Sequence, residues 1–194
     1  GLDTKYFSKL IDIYSGQKFN KLSHLVVGLE NSYSWEKYGK EYENQIKILV
    51  EKKNKGQISI LKLADFSQWY QAHFPELSPQ TIIIADDPLG SSKKVVWFMN
   101  PYYRAGWFFN QDGSVFRDIR QYIDGEEELC LQKSCQEVNF ATFATRVLDE
   151  VSFGHKWVID EGKISNFNVS KINDVFLLTY TNEAGKNRSI EFLE

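Results

Sequence analysis

The sequence predicts an α+β fold in two parts: βα units in residues 1–76, then an antiparallel, sandwich-like β region in residues 77–194. Two observations support this prediction. Helical and strand-like patterns alternate up to Pro75, and that order is typical of parallel βα units. Beyond Pro79, short apolar segments are separated by glycine-containing turns, which is typical of antiparallel sheets.

The first part is predicted to contain three helices and two strands. Capping residues and apolar residues at helical spacing predict helices that begin near Asp3, Ser34 and Asp65. A glycine or a proline ends each of them. The apolar runs 23–29 and 57–63 predict buried strands between these helices.

The second part is predicted to be rich in strands. The apolar segments expected to form them are 81–85, 95–99, 104–109, 114–122, 156–159 and 175–180. Asp112-Gly113 lies between two of these segments and is a hairpin signal. The segment 140–149 fits a short helix or a strand, and its threonines and valine favour the strand.

Composition and charge argue against several classes of protein. The net charge of -3 and the pI of about 5.7 disfavour a nucleic-acid binder, because phosphate contacts require a basic surface. No apolar run approaches the roughly 20 residues that span a bilayer. The three histidines lack the spacing of metal ligands, so we expect neither a metal site nor a cofactor.

The first residue and the two cysteines bear on the compartment. The chain opens with Gly1 rather than Met, which suggests a processed or constructed start from which a leader could have been removed. Cys130 and Cys135 are either two unconnected thiols or a small local disulfide. A disulfide would fit an extracytoplasmic protein, so we favour a secreted or periplasmic location.

Aromatic residues are concentrated between Val95 and Arg120, where eight aromatics and three arginines fall within 26 residues. Sites for flat polar ligands such as sugars or bases often have this composition. Strand alternation and the Asp112-Gly113 turn nevertheless assign most of these aromatics to the faces of a hairpin, where many of them form core. The segment Asn100–Arg104 is the part that remains a candidate for ligand binding.

The first candidate site is the segment from Gly28 to Trp35, where a predicted strand passes into a helix. Ligands collect at the carboxyl ends of strands in α/β sheets and barrels. Glu30 is therefore a candidate acid, base or hydrogen-bond acceptor. The alternative is equally open: Glu30 and its neighbour are ordinary loop residues, and Trp35 is the first core residue of the helix.

The second candidate site is the Asn-Pro turn before Arg104. Tyr102 and Tyr103 must point in different directions in extended chain, so that one can belong to the core and the other is free. Arg104 can bind a carboxylate in a bidentate fork. That carboxylate belongs either to a ligand or to a structural Arg–Asp bridge between the two parts.

A third segment, Phe116–Tyr122, carries a pair of opposite charges. Alternation places Phe116, Asp118, Arg120 and Tyr122 on one face and Arg117, Ile119 and Gln121 on the other. Asp118 and Arg120 are therefore neighbours that can pair. Structural pairing is favoured here over a role in ligand binding.

The order of these segments resembles that in a known group of enzymes. A β-rich region follows a series of short segments. In chain order these are Gly28-Leu-Glu-Asn, a Trp/Tyr helix, Asp65-Phe-Ser-Gln-Trp-Tyr and Phe74-Pro75. This order resembles the carboxyl-terminal part of bacterial polysaccharide-deacetylase-like proteins and of glycoside hydrolases of families 57 and 38. The resemblance implies a partial (β/α) barrel that acts on glycans, with a β-sandwich packed behind it.

The chain also departs from those families. Their early Asp-Asp motif and histidine-based metal site have no counterpart here, because Asp86-Asp87 comes too late and lies in a turn. Either the catalytic half is missing from the chain or the chain is a diverged module. If it is a fragment, we expect it to form a homodimer or to need a missing amino-terminal domain or partner chain.

These inferences predict a protein that acts on or binds carbohydrate. In the enzymatic version the reaction is hydrolysis on a glycan, with Glu30 as acid/base or substrate-binding carboxylate. The substrate-binding residues would supply stacking rings, an amide and a guanidinium: Asn31, Tyr33, Trp35, Tyr102, Tyr103 and Arg104. The alternative is a non-catalytic carbohydrate-binding or structural module.

Overall fold

The computed structural model describes residues 2–30, 32–122, 134 and 145–193. Within them the helices are α1 (Leu2–Ser15), α2 (Trp35–Asn54), α3 (Leu63–His73) and α4 (Glu150–Phe153). The strands are β1 (Thr81–Asp86), β2 (Lys94–Met99), β3 (Tyr103–Phe109), β4 (Gly113–Gln121), β5 (Thr145–Asp149), β6 (Trp157–Glu161), β7 (Ser165–Ile172), β8 (Val175–Thr181) and β9 (Asn187–Phe192). The predicted α+β class is confirmed.

The strands form two antiparallel sheets. The larger sheet has the order β1-β2-β3-β4-β5, and β6 pairs with the first half of β4 while β5 pairs with its second half. The smaller sheet has the order β7-β8-β9. In the β2–β3 hairpin Trp97 lies opposite Gly106 and Met99 lies opposite Arg104. This register follows from the tight turn that the Asn-Pro sequence forms.

The two sheets pack face to face over an aromatic core. The ring of Phe98 lies 5.8 Å from that of Phe176 and 4.9 Å from that of Phe192, measured between centroids. The ring of Trp107 lies 5.3 Å from that of Tyr180. Phe98 and Trp107 come from the larger sheet and their partners from the smaller one. Burying each large apolar side chain is worth roughly 1.5–3 kcal/mol, so this layer holds the sandwich together.

The predicted strands at 23–29 and 57–63 are wrong. Residues 23–29 and 57–62 are irregular chain, Leu63 already belongs to α3, and residues 2–30 and 32–76 contain helices but no strand. The parallel βα units that these strands would build are therefore not formed there. A strand needs a neighbour for its backbone groups, and the strand nearest to this part of the chain, β1, already has its free edge occupied.

Two side chains that follow α1 occupy that edge of β1. The backbone N–H of Ile82 donates to Asn20 Oδ1 at 2.8 Å, and that of Ile84 donates to Gln17 Oε1 at 3.0 Å. The Gln17 side chain also donates to the carbonyl of Ile84 at 3.3 Å. The side chains thus substitute for a neighbouring strand and block further pairing at this edge.

The strand predictions after Pro79 succeed in most cases. Six predicted strands are present with small changes at their ends, and the preference for a strand over a helix holds for 145–149. Residues 140–144 lie outside the described part of the chain. Strands β7 and β9 were not predicted, because asparagine, serine and charged residues interrupt their apolar pattern.

A buried carboxylate links the two sheets at one end. Asp160 of β6 accepts hydrogen bonds from Tyr180 Oη at 2.6 Å, from Asn182 Nδ2 at 2.7 Å and from Arg188 Nη2 at 2.9 Å. Burial raises the pKa of Asp160, but these hydrogen bonds outweigh it and the pKa is lowered. Asp160 is therefore ionised at neutral pH and joins the larger sheet to the residues of β8 and β9.

Replacing Asp160 should destabilise the sandwich. Asp160→Asn removes the charge that three donors share, and we expect a loss of about 2–3 kcal/mol in the free energy of unfolding. Asp174→Asn is the matched control, because the Asp174 side chain is 67% exposed and pairs with Lys171 at the surface. That change should cost less than about 1 kcal/mol. Urea denaturation measures both, and equal losses would contradict the role of Asp160.

The hydroxyl of Tyr180 should make stability depend on alkaline pH. Burial, together with the hydrogen bond to Asp160, raises the pKa of Tyr180 from 10.0 to about 12. The raised pKa means that this stabilisation is complete below pH 10 and is lost as the pH rises from 10 towards 12. Urea titrations across this range should show a steeper fall in wild type than in Tyr180→Phe. Parallel curves would show that Tyr180 does not titrate in this way.

Candidate functional site

The outer face of the larger sheet carries a tryptophan that lies flat on a glycine. Trp97 of β2 and Gly106 of β3 are cross-strand partners. A Cβ atom placed on Gly106 would lie 2.9 Å from both Cη2 and Cζ3 of the Trp97 indole. Only glycine therefore allows the ring to lie this close to the strand. The result is a flat, partly exposed aromatic surface on rigid strands.

Aromatic rings and guanidinium groups alternate around this tryptophan. The Phe108 ring meets the Trp97 ring edge to face, with centroids 5.8 Å apart and an interplanar angle of 84°. The guanidinium carbon of Arg104 lies 5.8 Å from the Trp97 centroid, and that of Arg117 lies 4.9 Å from the Phe108 centroid. We refer to Trp97, Arg104, Phe108 and Asp118 together as the Trp97 face. Cation–π attraction helps to orient its guanidinium group.

Asp118 holds Arg104 in place. Arg104 Nε donates to Asp118 Oδ1 at 2.8 Å and its Nη2 donates to Oδ2 at 3.1 Å, which is a bidentate pair. The hydrogen bond to Asp118 raises the pKa of Arg104 against the opposing effect of burial. The structure thus shows an Arg–Asp bridge within one sheet, rather than between the two parts of the chain.

Asp118 is also bound by a second arginine. Arg120 Nε donates to Asp118 Oδ2 at 3.1 Å, so the predicted pairing of these two residues is confirmed. Arg120 Nη2 further donates to Asp149 Oδ2 at 3.0 Å, and Asp149 caps α4 through the N–H of Ser152. The charges on this face form a connected network across β3, β4 and β5.

The predicted face of Phe116 is wrong. The register of β3 and β4 shifts between Gly106 and Trp107, so that Arg117 is an extra residue in β4. Phe116 consequently packs against the core, while Asp118 lies on the outer face opposite Gly106. This β-bulge breaks the strict alternation on which the prediction relied.

The two predicted tyrosines of the Asn-Pro turn have different environments. Tyr103 packs against Phe98, with ring centroids 5.3 Å apart, and its hydroxyl donates to the carbonyl of Leu193 at 2.9 Å. Burial raises the pKa of Tyr103. Tyr102 is 51% exposed. The expected division into one core tyrosine and one free tyrosine is confirmed, so of the two only Tyr102 is open to a ligand.

The residues around Glu30 form a separate group at the start of α2. Glu30 accepts a hydrogen bond from Ser32 Oγ at 2.6 Å. Trp35 is 60% exposed and its ring lies against Gly39, and the rings of Tyr33 and Tyr38 are 4.9 Å apart. Asn31 lies outside the described residues, so its role stays a prediction.

The structure does not join the two predicted sites. In the described part of the chain, no hydrogen bond, ion pair or ring contact connects the group around Glu30 with Asn100–Arg104. A search of the same residues finds no group of three His, Cys, Asp or Glu side chains that could hold a metal ion. Cys130 and Cys135 lie outside the described residues, so the disulfide also stays a prediction.

Trp97 is not among the predicted site residues, although the sequence contains a signal for the position of its ring. Counting outward from the Asn100–Tyr103 turn pairs Met99 with Arg104 and therefore Trp97 with Gly106. A tryptophan opposite a glycine in a hairpin predicts a ring that lies on the neighbouring strand. The bulge at Arg117, which brings Asp118 to this face, has no comparable signal in the sequence.

Comparisons of the chain with models of protein families, with curated proteins and with solved structures found no match. None of the described helices has the length and apolar character needed to cross a membrane.

A methyl group at Gly106 should displace the Trp97 ring. Gly106→Ala places a Cβ atom too close to the indole, and we expect it to lower the free energy of unfolding by roughly 1–3 kcal/mol. The near-ultraviolet circular dichroism of the Trp97–Phe108 pair should change as well. Gly28→Ala is the control, because nothing lies within 4 Å of a Cβ at Gly28. An unchanged spectrum in Gly106→Ala would contradict the described position of the ring.

Proposed function

We propose that this protein binds carbohydrate and that the Trp97 face is its binding surface. The observation that supports this is the Trp97 ring lying flat on Gly106 beside the paired Arg104 and Asp118. A sugar ring has an apolar face of C–H groups, which stacks on an aromatic ring, and hydroxyl groups around its edge. An indole with fixed polar groups beside it is complementary to both features.

The charged pair beside Trp97 retains unused hydrogen-bonding capacity. A guanidinium has about five N–H donors; Arg104 uses two of them on Asp118, and a further one interacts with the hydroxyl of Tyr122. A carboxylate has roughly four acceptor positions. On Asp118, the three described hydrogen bonds fill three of these positions. The remaining donors and acceptor can serve neighbouring sugar hydroxyls. Because the pair is already ordered, a ligand loses little side-chain entropy on binding.

Binding at the Trp97 face does not require catalysis. The hydrolase or deacetylase-like activity implied by the resemblance depends on Glu30, which lies in the group at the start of α2. That activity stays a prediction, and so do the homodimer and the missing amino-terminal domain. The non-catalytic alternative is the one that the geometry of the sheet supports.

A glycan array followed by calorimetry on the best ligand tests this proposal. Trp97→Ala should weaken binding by at least about tenfold, or 1.4 kcal/mol, because it removes the stacking surface. Arg104→Gln should also weaken binding. Trp157→Ala is the matched control, since Trp157 is a β6 tryptophan that is 55% exposed and pairs across the strands with Phe116, whose side chain packs against the core rather than on the Trp97 face. Circular dichroism confirms that each variant is folded.

Three outcomes would overturn the proposal. The first is that the wild-type protein binds no glycan, and the second is that folded Trp97→Ala binds as tightly as wild type. The third concerns the exposed tryptophan of α2. If Trp35→Ala abolishes binding and Trp97→Ala does not, the ligand occupies the group around Glu30 and not the sheet.

A further inference from the structure

A shallow depression adjoins the Trp97 face, and Phe108 belongs to both. The depression has a volume of about 170 Å³. Lys93, Lys94, Arg117 and Glu150 supply its charged side chains, and Phe108 and Val115 supply apolar surface. Since the Phe108 and Trp97 rings are in contact, a ligand stacked on Trp97 can extend into this depression.

The size of the depression limits what it can hold. Pockets for drug-sized ligands have volumes of roughly 300–1,000 Å³, so this one fits a single small unit. In a glycan that binds at the Trp97 face, the unit would be one sugar residue next to the stacked ring. The depression can therefore determine which sugar residue is accepted at one position of a glycan that binds at the Trp97 face.

The negative charge of the carboxylate in the depression is already balanced by two cations. Glu150 is bound by Lys156 Nζ at 2.8 Å and by Arg117 Nε. The hydrogen bond from Lys156, together with that from Arg117, lowers the pKa of Glu150. Glu150 is thus a fully charged carboxylate with two cations bound to it, so it opposes a ligand anion only weakly.

The two lysines of the depression differ in their partners. Lys94 pairs with Asp86. Lys93 is exposed, and among the described residues its ammonium group forms no ion pair or hydrogen bond. Asp87 lies within range of its charge, but the carboxylate of Asp87 is bound mainly by Ser91 and by the backbone of Leu89. The ammonium of Lys93 therefore remains available for a ligand.

We infer that the depression selects an anionic sugar unit, one that carries a carboxylate or a sulfate group. Lys93 binds the anionic group, and Phe108 contacts the sugar ring between the depression and Trp97. This inference rests on the proposed carbohydrate binding and adds the class of glycan to it. The charge–charge attraction is partly exposed, so salt should weaken it.

The experiment uses pairs of oligosaccharides that differ only in one carboxylate or one sulfate. Wild type should bind the anionic member of a pair at least about tenfold more tightly than the neutral one, or 1.4 kcal/mol. In Lys93→Gln this preference should fall to about threefold or less, while binding of the neutral member stays unchanged. Raising the salt concentration should reduce the preference of wild type. The carboxylated and sulfated pairs, measured separately, show which anion is bound.

Lys5→Gln is the matched control, because Lys5 is an exposed lysine of α1. Equal binding of neutral and anionic members by wild type would overturn the inference, as would a preference that survives in Lys93→Gln or is lost equally in Lys5→Gln. These outcomes leave binding of the neutral glycan intact and so do not affect the proposed function. Failure of wild type to bind any member would overturn both.

Discussion

The two sheets are held together by the burial of an aromatic layer between them. Phe98 and Trp107 of the larger sheet, with Phe176 and Leu178 of the smaller sheet, are completely buried. The Nε1 atom of Trp107 is buried without a hydrogen-bond partner in the described part of the chain, which costs about 1–3 kcal/mol. Packing therefore outweighs hydrogen bonding at the centre of the sandwich.

The core also determines the outer surface of the larger sheet. Side chains of a strand alternate between its faces, so the inward position of Phe98 and Trp107 places Trp97 and Phe108 outside. The register of the β2–β3 hairpin then places Gly106 beneath the indole. The Trp97 face therefore inherits the rigidity of the core, which suits the proposed binding of a small polar ligand.

The amino-terminal part obeys a different constraint. Its helices have few buried residues, and apolar side chains are exposed along α2 and in the segments 23–29 and 57–63, among them Leu25, Val26, Ile60 and Leu61. The side chains of Gln17 and Asn20 close the adjacent edge of β1. A helix forms without a neighbouring segment because its backbone hydrogen bonds are internal. A strand needs a neighbouring strand to which its backbone groups can bind.

Elements whose signals are local were predictable from the sequence. Apolar spacing located α1 to α3, turn residues located most strands, and strand alternation separated Tyr102 from Tyr103. The other features depend on contacts between distant segments. Strand 23–29 needed a partner that the described chain does not supply, and the bulge at Arg117 moved Phe116 into the core and Asp118 beside Arg104. Pairing between distant segments depends on the whole fold, and no local pattern encodes it.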